Sequence, residues 1–256
     1  MQGLGFRNVR NICYLNATLV PLLSIKAVER LLKNISIHPD NESDSIYLKL
    51  QNVAKKYYCI ESKDRSIDHT SFVDSFQGIM NPSFRDLLQH DATEFLYALL
   101  DSIIEDFNKC DVQRNILIMS DAESLLPKLF EGIMESRSCC PNCSSQYQRQ
   151  ELFYVLPLAI NSKVNSVQDA FEQFTAIEHL DTHKCDDCNE MCNKTKQMMI
   201  IEAPKNLIMS LKLFSNANGY FNKVQRKIEF DMTFHLRHSN GIAEYKLVAF
   251  TVHKLI

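Results

Sequence analysis

Apolar positions recur at helical spacing through the first half of the chain and at short, strand-like intervals through the second. Behind Cys13, Leu15, Leu19, Leu22 and Leu23 keep the spacing of one helix face, which predicts a helix with Cys13 on its first turn. Pro21 within that run predicts a kink or an end, because its nitrogen cannot donate and its ring meets the preceding turn. Ile46, Leu50, Val53 and Tyr57 predict a second, amphipathic helix. Asp91 through Phe107 predicts a longer one, with Phe95, Leu96, Leu99, Leu100, Ile103, Ile104 and Phe107 on a broad face. From Lys128 onward the texture changes. The segments LFEGIMESR, LFYVLPLAI, QMMIIEA, NLIMSLKLF and EYKLVAFTV are short, apolar or β-branched and bounded by turn residues, so they read as strands. One helix intervenes over Val167–Phe174, and residues 111–126 read as a connecting loop with a helical turn. Helices first and strands after predict an α+β domain.

Composition narrows the class. The chain has 256 residues, 45% hydrophobic and 23% charged, which is ordinary for a globular protein. A net charge of −3 with no basic cluster argues against nucleic acid as the partner. No run reaches the ~18 apolar residues of a membrane span. Arg7 and Arg10 ahead of ICYLNATLVPLLSI imitate a signal peptide, but Asn16, Thr18 and Pro21 interrupt the apolar run and no clean small-residue cleavage site follows. Six glycines leave little for flexible linkers. The cysteines decide the compartment. Of nine, Cys139, Cys140, Cys143, Cys185, Cys188 and Cys192 fall in two tight groups, a pattern of metal ligands rather than disulfides. That places the expected home in the cytosol or nucleus.

Two features carry chemistry. A thiol on a helix's first turn feels the positive helix end, which favours the nucleophilic thiolate. Asn11, just outside that turn, could donate its side-chain amide to an oxyanion formed at the carbon Cys13 attacks. The plainer alternative is a small buried cysteine at a helix start. The second feature is the pair Cys140-x2-Cys143 and Cys185-x2-Cys188. Each C-x2-C fits one turn that points two thiolates at one ion, and two such turns complete a closed, structural zinc site of four thiolates. The long stretch between them requires strands that run out and back, so that the ion ties the ends of two β hairpins. Four incidental cysteines are the alternative. Cys139, Cys192 and His183 lie close enough to compete as ligands, with less suitable spacing. Asp91 and Glu94 open the long helix, where negative charge is favourable in itself.

Taken in order, these segments resemble the ubiquitin-specific protease family. GFRNVRNICYLNATLVPLL at 5–23 is similar to its cysteine box, and LQHDATEFLYALLD at 88–101 to its QQDAxEFLxxLLD helix. The two C-x2-C pairs match the half-sites of its zinc finger. PKNLIMSLKLF at 204–214 and YKLVAFTVH at 245–253 resemble its palm segments. The resemblance implies a papain-like cysteine protease fold with a helical thumb (1–125), zinc-tipped β fingers (126–215) and an incomplete palm (216–256). It implies Cys13 as nucleophile, Asn11 as oxyanion donor, and Asp91 as the carboxylate that approaches the basic C-terminal tail of ubiquitin. It also implies structural zinc on Cys140, Cys143, Cys185 and Cys188, and ubiquitin or its conjugates as partner. Arg10 stands where the family has Gly, Ile12 where it has Thr, Val20 where it has Gln and Leu213 where it has Arg. The family's general base, the His of a later GHY segment, has no counterpart before Ile256; His253 matches a different, non-catalytic His. His235 and His238, beside the SNG turn, are expected to be exposed loop residues. The expected activity is thiol-dependent hydrolysis of ubiquitin isopeptide bonds, lost or impaired in this chain. The alternative is a catalytically inactive ubiquitin-binding protein.

Overall fold

The computed structural model describes residues 5–8, 11–35, 37, 45–59, 66–80, 84, 88–109, 126–217, 220–223 and 227–252. Two compact units form, one from residues 1–129 with 248–256 and the other from 130–247.

The first unit is helical. Its described elements are β1 (Gly5–Phe6), α1 (Cys13–Leu23), α2 (Lys26–Asn34), α3 (Ile46–Tyr58), β2 (Ser66–Ile67), α4 (Thr70–Ser75), a π-helical turn at Phe76–Met80, α5 (Ala92–Lys109) and a 3-10 turn at Leu126–Leu129. Leu15, Leu19, Leu22 and Leu23 of α1 are buried, as are Phe95, Leu96, Leu99, Leu100 and Ile103 of α5. The apolar stripes that predict these helices therefore become the core. Ser45 caps α3 by accepting from the Leu48 N–H at 3.1 Å. The same end is held by buried Asp106 of α5, whose Oδ2 accepts from the Tyr47 N–H at 2.8 Å and the Ser45 hydroxyl at 3.0 Å. Pro21 does not stop α1, which runs two residues further to Leu23. The lost N–H would have served the Ala17 carbonyl one turn earlier, and the Thr251 hydroxyl donates to that carbonyl instead, at 2.9 Å. The expected loop over 111–126 lies outside the described residues except for Leu126, which begins the 3-10 turn.

The second unit is mostly sheet. β3 (Gly132–Cys139), β4 (Gln146–Phe153), β6 (Glu178–Lys184) and β7 (Met191–Glu202) form one antiparallel sheet in the order β4-β3-β7-β6. β5 (Leu156–Ala159) pairs in parallel with β8 (Met209–Lys212), β9 (Phe214–Ala217) pairs with β10 (Tyr220–Lys223), and β11 (Thr233–His238) pairs with β12 (Gly241–Lys246). Helix α6 (Val167–Phe174) is the predicted one. A reciprocal capping box starts it: the Asp169 N–H donates to Ser166 Oγ, and the Ser166 N–H to Asp169 Oδ2. Phe153, Leu156, Leu158, Val164, Phe171, Ile200 and Leu236 form the core beneath α6. At the base of β3, a Cβ on Gly132 would lie 2.5 Å from the Phe153 ring, so only glycine admits that ring. Leu213, the residue in place of the family's Arg, packs against this core.

Three expectations need correction. LFYVLPLAI is not one strand but the end of β4 and all of β5, separated by a bend at Tyr154–Val155. EYKLVAFTV is a strand only to Lys246; residues 247–252 join none among the described residues. His235 and His238 lie on β11 rather than in a loop, because Phe234 and Leu236 alternate inward and carry the strand past them. His235 is exposed, as expected, with Glu244 at 3.7 Å across the hairpin.

Candidate functional site

Cys13 is the first residue of α1 and is exposed, which removes the reading of a buried structural cysteine. Behind it the helix is anchored. Tyr14 is buried, its ring edge-on to Phe95 at 5.7 Å and to His90 at 5.2 Å and stacked on Phe84 at 5.8 Å. Ile12, in place of the family's Thr, is fully buried, so the residues on both sides of Cys13 face inward while the thiol faces out. No side chain caps the first turn of α1 and no acidic residue lies in it.

Asn11 has φ 57°, the left-handed region that asparagine tolerates better than most residues. That conformation turns the chain sharply into α1 and leaves the Asn11 side chain exposed beside the helix end. Arg10 lies outside the described residues, as does His253. One turn along from Cys13, Asn16 Oδ1 accepts from Nε2 of His69 at 2.7 Å. His69 is buried, its ring 4.7 Å from that of Phe6. Burial holds its pKa below the usual imidazole value, against the pull of the neighbouring Asp68 carboxylate. Nothing in the sequence spacing connects His69 to Asn16, so this support of α1 is visible only in three dimensions. Among the described residues no histidine hydrogen-bonds Cys13.

Asp91 is the N-cap of α5. Its Oδ1 accepts from the Thr93 N–H at 2.7 Å and the Glu94 N–H at 3.1 Å, and its side chain is exposed. The simple charge effect expected of Asp91 is thus a direct cap, while Glu94 adds negative charge in the same turn. The Thr18 hydroxyl of α1 reaches the Ala92 carbonyl at 3.2 Å, tying the Cys13 helix to the start of the Asp91 helix.

The second unit brings all four predicted cysteines together. Cys140–Cys143 form the turn between β3 and β4, and Cys185–Cys188 the turn between β6 and β7. Because β3 and β7 are antiparallel neighbours, both turns lie at one end of the sheet. The turns are built alike. The Cys140 N–H donates to the Ser145 carbonyl and the Ser144 N–H to the Cys140 carbonyl; the Cys185 N–H donates to the Glu190 carbonyl and the Asn189 N–H to the Cys185 carbonyl. Ser144 and Asn189, at equivalent places, are both left-handed, with φ 60° and 58°. In each turn the later N–H groups point back at the first sulfur. The Cys143 N–H thereby lowers the Cys140 pKa, and the Cys188 N–H is the largest of the donors that bring Cys185 down to about 6. Polar ties cross between the turns: Asn142 donates to Glu190 at 3.0 Å and the Tyr147 hydroxyl to Asp187 at 2.6 Å.

The four sulfurs lie within 4.8 Å of one another. Cys140 and Cys188 are 4.0 Å apart, Cys143 and Cys185 3.7 Å. Zinc–sulfur bonds of about 2.3 Å in a tetrahedron require sulfur–sulfur edges of roughly 3.8 Å. These two edges match that length, and no other separation among the four sulfurs exceeds 4.8 Å, so the cluster is compatible with a closed four-thiolate site.

Residues 4–254 match the ubiquitin carboxyl-terminal hydrolase family. Ubiquitin carboxyl-terminal hydrolase 4 of Saccharomyces cerevisiae is 28% identical over 84% of this chain and 28% of its own length. Ubiquitin carboxyl-terminal hydrolase 23 of Arabidopsis thaliana is 27% identical over 98% of this chain and 30% of its own. The chain thus spans less than a third of either relative. Among solved structures, the SAGA DUB module of Ubp8, Sgf11, Sus1 and Sgf73 bound to ubiquitin aldehyde matches in fold, with a TM-score of 0.73 at 22% identity over 91% of this chain and 52% of that one. The chain belongs to the ubiquitin carboxyl-terminal hydrolase family. Among the described residues no helix is long and apolar enough to cross a membrane.

Proposed function

We propose that this chain carries the nucleophile and substrate-recognition portion of a deubiquitinase, with ubiquitin as its partner. Cys13 attacks the carbonyl carbon at ubiquitin's C-terminal glycine, and Asn11 with the N–H groups opening α1 receives the oxyanion. Asp91, exposed at the start of α5, meets the basic tail of ubiquitin. Zinc on Cys140, Cys143, Cys185 and Cys188 fixes the tip of the four-stranded sheet and takes no part in the chemistry, since four thiolates leave no open position. The observation that carries this reading is the exposed thiol of Cys13 at a helix start without a side-chain cap from Ile12, two residues after left-handed Asn11. Thiolates bound to a metal require reducing surroundings, which suits the cytosol or nucleus.

Residues 1–256 alone are expected to turn over substrate negligibly. Attack by Cys13 also needs a group to take the thiol proton and return it to the leaving lysine amine, and none of the described histidines engages Cys13. Losing one member of such a unit costs on the order of 10^4–10^6 in rate. Two assays on the purified chain separate the parts of the proposal. An electrophilic ubiquitin probe should label Cys13 and fail on Cys13→Ala, which tests recognition and the nucleophile. A fluorogenic amide of ubiquitin should show no Cys13-dependent release. Absence of labelling would sink the nucleophile assignment, and Cys13-dependent turnover would overturn the expected inactivity.

A further inference from the structure

A fifth sulfur lies against one of the four at the tip of the sheet. Cys192, near the start of β7, has its Sγ 3.5 Å from Cys140 Sγ and 3.6 Å from the His183 carbonyl oxygen. Strand alternation turns it inward: Met191 and Asn193 on either side are exposed, whereas Cys192 is 6% exposed. Cys143 is the converse case. It is exposed, and its Sγ lies 3.1 Å from the Ser145 hydroxyl. Cys140, Cys185 and Cys192 are buried with Cys188 packed against them, whereas Cys143 is exposed although its Sγ lies 3.7 Å from that of Cys185. The Cys140–Cys192 separation is already within a few tenths of an ångström of the ~3.8 Å edge of a four-thiolate zinc tetrahedron.

We propose that Cys192 is a reserve zinc ligand, which takes the coordination position of Cys143 when that exposed thiolate leaves the ion. The inference rests on reading the cluster as a zinc site. On exchange, the Cys192 thiol releases its proton to solvent and forms a sulfur–zinc bond, while the departing Cys143 thiolate takes up a proton; the ion keeps four sulfurs and its net charge is unchanged. Solvent and chelators reach the site from the Cys143 side. A buried fifth thiol beside Cys140 lets the ion ride out loss of that ligand without emptying.

The test is metal content of the full chain, expressed with zinc and purified in reductant without chelator, for wild type, Cys143→Ser, Cys192→Ser and the double variant. Wild type and both single variants should hold about one zinc per chain and the double variant below about a fifth of that. Cobalt substituted into Cys143→Ser should give a sulfur-to-metal charge-transfer band as intense as in wild type, because four thiolates still bind. This readout needs only the single variant, so it stands even where the double variant does not fold. A Cys143→Ser protein as zinc-poor as the double variant overturns the proposal. So does full zinc retention with a weakened, three-thiolate cobalt band. An empty Cys192→Ser protein would make Cys192 a resident ligand, which also overturns the reserve role. Wild-type protein without zinc would instead overturn the zinc reading itself, a distinct outcome.

Discussion

Asp91 is assigned two tasks, capping α5 and meeting a basic tail, and substitution can separate them. Asp91→Ala removes both hydrogen bonds that Oδ1 accepts, from Thr93 and Glu94. Losing an N-cap costs about 1 kcal/mol, and losing negative charge at the helix start adds about 0.5 kcal/mol. For a chain of this size each kcal/mol lowers Tm by about 2–4 °C, so Asp91→Ala should melt roughly 3–6 °C lower. Asp91→Asn keeps a capping oxygen and forfeits only the charge, which limits its loss to about 1–2 °C. Binding should behave differently. An exposed charge pair contributes at most about 1 kcal/mol, a factor of about five in Kd, and both substitutions remove it. Calorimetric titration of ubiquitin into a Cys13→Ala background, at two salt concentrations, reads this directly. The wild-type advantage should shrink as salt rises, because an exposed pair is screened. Asp91→Asn binding as tightly as wild type, with Asp91→Ala weakened, would refute the tail contact and leave Asp91 as a cap alone. An unchanged Tm in Asp91→Ala would refute the cap.

Two further outcomes follow from contacts in the helical unit. Thr251→Val should cost about 0.5–1 kcal/mol by leaving the Ala17 carbonyl to solvent, and this cost should largely vanish in a Pro21→Ala background, where the new N–H serves that carbonyl; equal costs in both backgrounds by denaturant titration would disprove the link. Buried His69 has its pKa depressed in the fold, so its contribution is present above the ordinary imidazole pKa and lost as pH falls through the lower folded value. Tm should therefore drop more between pH 7 and pH 5 in wild type than in His69→Gln, and parallel profiles would exclude His69 as the cause.

The legible elements are those with one buried face. Helices α1, α3 and α5 follow from apolar spacing, since tertiary burial and local pattern agree there. Strands β4 and β6 give no such signal: QYQRQELF is exposed along its length except at Phe153, and EHLDTHK has no apolar alternation. Pairing and the paired turns at the tip define them instead. The alternation of β11 is present in TFHLRH, but proximity to the SNG turn favours a loop reading. The hydrogen bond to the carbonyl freed by Pro21 comes from Thr251, far along the chain, and no local pattern could reveal it. At the site, spacing identifies the four paired cysteines, whereas Cys192 and His69 enter only through contacts that spacing does not encode.

The sparse burial of the distal sheet also bears on how the strands find their alignment. A slip of one residue between β3 and β7 would exchange inner and outer side chains, and even a modest core resists it. A slip of two residues preserves every side chain's face, so hydrophobic patterning discriminates poorly against it. Yet two residues displace one strand by about 6.8 Å along its neighbour, and the cysteine turns lie on opposite sides of that junction. Sulfurs now 3.7 to 4.0 Å apart could no longer share one ion. A metal held by all four sulfurs would thus act as a proofreading step for the sheet, accepting only the alignment that hydrophobic pattern alone leaves ambiguous.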